Sequence, residues 1–112
     1  MEITAKTDQK LTIIGISGNL DGNTAPAAQE RILPLVTTGC RLVFDMEKCN
    51  YISSAGLRLL LVVAKQIHRV GGIGAYAALT QETSDIMKMT GFDNMFTSYP
   101  TLDEAVKLFG EA

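Results

Sequence analysis

The chain has 112 residues, enough for one domain and too few for two with separate cores. It is 46% hydrophobic and 20% charged, and ten Lys and Arg against twelve Asp and Glu leave a net charge of -2. This composition argues against disorder, and it lacks the basic excess that binding a phosphate backbone requires, so nucleic acid is not an expected partner. Apolar runs such as Leu59 to Ala64 fall far short of the roughly 20 residues that cross a bilayer, and no basic segment followed by an apolar one opens the chain. The expectation is a single domain over residues 1–112, cytoplasmic and without membrane insertion.

In chain order, Ile3 to Thr7 and Leu11 to Ser17 read as two strands of a hairpin, with Asp8, Gln9 and Lys10 as the turn. Gly18 to Asn23 reads as loop. Thr24 is placed to cap a helix that tolerates Pro26 in its first turn and runs to about Leu35, its last turn bent or lost because Pro34 removes a hydrogen bond. A strand follows from Arg41 to Asp45. A long helical pattern from about Ser54 to Val70 closes at Gly71 and Gly72, and Ile73 to Ala78 reads as the next strand. Thr80 caps a third helix that stops at Gly91, and a short apolar stretch from Met95 to Thr97 precedes a last helix from Thr101 to Phe109. Strands alternating with helices predict an α/β mixed sheet with helices packed on it.

Cys40 and Cys49 flank the strand at Arg41 to Asp45, which holds them beyond the roughly 7 Å limit between Cα atoms for a disulfide. Buried free thiols are expected. With His68 the only histidine and no close cysteine pair, a metal site and a cofactor are not expected either. The same histidine bears on catalysis. It lies on the helical pattern that begins at Ser54, about 21 Å along the axis, far outside the roughly 3 Å reach of a general base. Neither a GxSxG elbow nor a GxxxxGK phosphate loop is present, and no enzymatic activity is expected.

Advancing 100° per residue from Arg58, the residues Ser54, Val62, Lys65 and Arg69 fall within about 40° of it, while Leu57, Leu60, Val63, Ala64 and Ile67 occupy the opposite arc. On this wheel Ser54 heads a solvent face that carries three basic residues, and Ser53 points toward the sheet. Val62, with Leu61 at the margin, stands as an apolar side chain among charges. Either serine is also a good helix cap.

The segment from Asp45 to Leu57, ending Ile-Ser-Ser-Ala-Gly-Leu, resembles the signature of STAS domains, specifically the bacterial anti-sigma factor antagonists. The loop Gly18-Asn-Leu-Asp-Gly-Asn-Thr-Ala25 is similar to that family's second motif, and the Gly71-Gly72 stop and the Met-Thr-Gly-Phe92 ending of the third helix also match. Ser53 stands where many members have Asp, and Ala55 where many have Ser or Thr. The resemblance implies a STAS-like mixed sheet of four to five strands with about four helices mainly on one side. It also implies a role in the regulation of transcription: the chain would bind an anti-sigma factor, often a serine kinase, and release a sigma factor. Aligned on Gly56 and Leu57, the phosphoacceptor is Ser54, to be cleared by a phosphatase, and Asp21, Asn23, Thr24, Ser53, Arg58 and Val62 join it as the partner-binding surface. The alternative is a STAS scaffold or subunit of a transport or signalling complex, without phosphorylation, in which Arg58, Lys65 and Arg69 dock an acidic or lipid-associated partner.

Overall fold

A computed structural model describes residues 1–8 and 11–109. Five strands form one mixed sheet in chain order: β1 (Glu2–Asp8), β2 (Leu11–Ser17), β3 (Arg41–Asp45), β4 (Ile73–Ala77) and β5 (Thr97–Tyr99). The first pair is antiparallel, with Ile3 opposite Ile16, and the other three pairs are parallel. Asp8 ends β1, and Gln9 and Lys10 of the expected turn lie outside the described residues.

Four α-helices connect or follow these strands: α1 (Ala25–Ile32), α2 (Ser54–Arg69), α3 (Gln81–Thr90) and α4 (Leu102–Phe109). The pleat sends alternate side chains to opposite faces. Ile14, Ile16, Leu42, Phe44 and Tyr76 meet α1, α2 and α3 on one face, through Ala28, Ile32, Leu60, Val63, Ile67 and Met87. Leu11, Val43, Ala75 and Ala77 meet α4 on the other, where the two alanines face Ala105 and Phe109. The helices are thus mainly on one side, with α4 alone behind the sheet.

Pro34 acts as its chemistry requires: the α-helical part of the first helix stops at Ile32, and Leu33–Leu35 continue as a single 3-10 turn. The caps of α3 form as read, with Thr80 Oγ1 accepting from the Thr83 amide at 3.2 Å and Gly91 in the left-handed region at φ 79°. Other boundaries also differ from the sequence reading. Strand β4 stops at Ala77 because Ala78 turns to φ 56°. The last strand is Thr97–Tyr99 rather than Met95 to Thr97. Phe96 instead precedes the backbone ladder and packs half-buried against the core, stacked on Phe44 at 5.7 Å and edge-on to Tyr76 at 5.2 Å. Thr101 lies just outside α4, where its Oγ1 accepts from the Glu104 amide at 3.1 Å. Cys40 and Cys49 are buried and unlinked.

Candidate functional site

The carboxyl ends of β2 and β3 lie side by side in the parallel sheet, so the loops that leave them run together. Their pairing is backbone to backbone. The Gly18 amide donates to Lys48 O, the Leu20 amide to Tyr51 O and the Ser53 amide to Leu20 O, each at 2.9 Å, and Leu20 and Ile52 form an isolated parallel bridge. Both of those side chains are buried. Cys49, in the same loop, has its thiol 3.6 Å from Tyr51 O, and burial pushes it up toward the neutral form, which makes it a packing residue rather than a nucleophile.

This staple fixes how α2 begins. Ser53 is its N-cap, in extended conformation, with Oγ accepting from the Gly56 amide at 3.3 Å. Ser54 is the first helical residue and is exposed. The two serines are therefore distinct in kind, as the wheel indicates: one is half-buried and engaged with the backbone, the other presents its hydroxyl to solvent. Gly56 supplies the close approach, because a Cβ there would sit 2.4 Å from Leu20 O.

Arg58, Leu61, Val62, Lys65 and Arg69 are exposed on α2. The buried arc of α2 is rotated from the one read on the wheel: Leu59 is buried at 2% exposure, whereas Leu57 and Ala64 are only half-buried. The cause is α1, which packs along the Leu59 side and draws the core face toward itself. Between the two helices an open groove of about 590 Å³ is lined by Gly22, Ala25, Pro26, Ala55, Arg58 and Val62, among others. It begins at the turn that carries Ser54.

In the first loop Asp21, and not Thr24 as expected, makes the cap. Thr24 precedes α1 but makes no side-chain cap to it. Asp21 caps instead, its Oδ1 accepting from the amides of Asn23 at 2.9 Å and Thr24 at 3.2 Å. The Thr24 hydroxyl accepts from the Asp21 amide at 2.9 Å and donates to Asn19 O at 2.8 Å. This reciprocal pair is a capping box begun three residues early, before an irregular first turn. Asn23 is exposed at the tip. Leu20 and Gly22 are the residues through which this loop meets the start of α2, and the tight turn chemistry of Gly-x-Leu-Asp-Gly is the signal that marks them.

The helix between Ser54 and His68 is unbroken, so no imidazole reaches either serine. Among the described residues no three His, Cys, Asp or Glu side chains gather as a metal site would, and no helix is long and apolar enough to cross a membrane.

Residues 2–105 match the STAS domain family. The chain belongs to that family. Among relatives of this STAS domain is BtrV of Bordetella bronchiseptica, named as a candidate anti-sigma factor antagonist. It is 28% identical over 113 residues, covering 100% of this chain and 97% of that protein. The anti-sigma-F factor antagonist RsfB of Mycobacterium tuberculosis is 26% identical over 93% of this chain and 85% of its own. The crystal structure of an anti-sigma factor antagonist from Mycobacterium paratuberculosis superposes with a TM-score of 0.85 at 26% identity, covering 97% of this chain and 93% of that one.

The capping role of Asp21 carries its own expectation for the STAS domain. Asp21→Ala removes the acceptor of two loop amides and is expected to lower stability by about 1 kcal/mol, measured as a shifted urea midpoint at unchanged slope. A midpoint equal to wild type would mean that water or Thr24 satisfies those amides equally well.

Proposed function

We propose that this STAS domain is an anti-sigma factor antagonist: it binds an anti-sigma factor of the serine-kinase type, sets a sigma factor free, and is switched off by phosphorylation of Ser54. The observation that carries the reading is the division of labour between Ser53 and Ser54. A phosphoacceptor must offer its hydroxyl to a kinase without being needed by the fold, and at the start of α2 only Ser54 does so, since the cap is already made by Ser53. The relatives named as anti-sigma factor antagonists support the same role.

The switch needs no turnover by this chain. A phosphate brings about -1.5 to -2 charges, and at the first turn of a helix it meets unpaired amides and the positive end of the dipole. The free domain tolerates it. A partner that covers this surface strips its hydration, and a charge buried without a counterion costs several kcal/mol. The partner surface in this reading is the neighbourhood of Ser54: the loop of Asp21, Asn23 and Thr24, with Ser53, Arg58 and Val62. A phosphatase restores the binding form, and the whole cycle runs in the cytoplasm.

The test is phosphopeptide mapping after incubation of the purified chain with its anti-sigma factor and ATP. All phosphate is expected on Ser54, with none incorporated by Ser54→Ala. Phosphate on Ser53, or undiminished incorporation by the alanine variant, overturns the assignment.

A further inference from the structure

The groove that starts beside Ser54 does not end there. Leu33 and Val62, which line it, also line a second recess of about 290 Å³ bounded by Lys65, Gln66 and Arg69. The two together follow the seam between α1 and α2 toward the far end of α2. Along that seam the α2 wall carries Arg58, Lys65 and Arg69, spaced i, i+7 and i+11 and so within about 40° of one another around the helix. Glu30 is the one carboxylate on the opposite wall among the described lining residues. Val62, 42% exposed, stands between the cations as an apolar step.

We propose that this seam is a docking groove for an amphipathic helix of the anti-sigma factor, its apolar edge laid on Leu33 and Val62 and its acidic edge on Arg58, Lys65 and Arg69. The inference rests on the function proposed above and extends it from the serine to the length of α2. Two features select the occupant. The seam is walled by two helices and offers no open strand edge, so an added strand has no backbone partner, whereas a helix seats in such a groove through i, i+3, i+4 and i+7 anchors. The three cations repeat at helical spacing, and their complement is a helix with carboxylates at the same spacing. Phosphorylation then acts on the docked helix twice: it adds charge at one end of the groove, and it offers Arg58, one turn from Ser54, a nearer anion than the partner's carboxylate.

The experiment uses the purified anti-sigma factor that the wild-type chain binds. In the paired variant Lys65→Glu with Arg69→Glu, both changes lie eleven or more residues from Ser54, about 16 Å along the helix. Affinity by calorimetry is expected to fall tenfold or more at unchanged melting temperature, and the wild-type affinity, unlike that of the variant, is expected to fall steeply with added salt. Lys65→Gln with Arg69→Gln gives the same direction with less effect and serves if charge reversal unfolds the domain. A photo-cross-linking residue at position 62 is expected to capture a segment of the partner with acidic residues at helical spacing, and replacing those residues by lysine should restore binding to the reversed variant. Wild-type affinity in both paired variants, or a cross-link to a segment without that pattern, overturns the groove while leaving the proposed function standing. Failure of the wild-type chain to bind any anti-sigma factor overturns the function and the groove with it.

Discussion

Ser54→Asp is expected to lower affinity for the anti-sigma factor by about a thousandfold, near 4 kcal/mol, while the isolated domain melts at or slightly above the wild-type temperature. Both halves follow from position. Ser54 begins α2 and is exposed, so a carboxylate there faces the open amides and positive pole of the helix, with Arg58 one turn away. Those interactions are each worth a few tenths to about 1 kcal/mol and all favour the folded state. In the complex the same carboxylate loses water and gains nothing in return, a larger effect of opposite sign that exists only there. A melt and a binding isotherm on one preparation, with Ser54→Ala as the uncharged control, separate the two. Tight binding by a folded Ser54→Asp protein would count against a charge switch at this position.

Gly56→Ala is expected to destabilise the domain by about 2 kcal/mol, lowering the melting temperature by about 8 °C or more. Two effects compete. Alanine inside a helix is favoured over glycine by about 1 kcal/mol. Against this, the new methyl would lie 2.4 Å from Leu20 O and 2.9 Å from Ile52 Cγ2. The oxygen belongs to backbone already fixed by the Ser53 amide, so it cannot yield without breaking the bridge between the loops. Overpacking of about 3 kcal/mol outweighs the gain in propensity. Partner affinity is expected to fall as well, since the loop of Asp21 is pushed off the start of α2. A melting temperature at or above wild type would show that the loops part easily and that the close approach is incidental.

The features legible in the sequence are those set by neighbours along the chain. The strand at Arg41 to Asp45, the cap at Thr80, the stop at Gly91 and the break at Pro34 each depend on a few adjacent residues. The separation of Ser53 from Ser54 is also local, since one serine caps the helix and the next begins it. What the chain alone conceals comes from elements remote in sequence. Leu59 is core because α1 lies against it, and helical periodicity places it only at the margin of the apolar arc. Phe96 leaves the expected strand because Phe44 and Tyr76 offer it two aromatic partners. Thr24 has the chemistry of a cap, but Asp21 takes that role because the first turn is irregular and begins earlier. The pairing of Leu20 with Ile52 leaves one trace in the sequence: a glycine within the first turn of a long helix, where its conformational cost calls for a close neighbour.

The order of the strands bears on when this protein becomes competent. Strands β1 and β2 are adjacent in sequence and antiparallel, whereas every later pairing is parallel and waits for a helical crossover. The surface around Ser54 depends on the second kind of contact, because Leu20 and Ile52 meet only after α1 and β3 are in place. That surface is therefore assembled after the hairpin and not with it. A copy whose two loops have not yet met lacks the backbone bonds that leave Ser53 as the cap and Ser54 as the exposed first residue of α2.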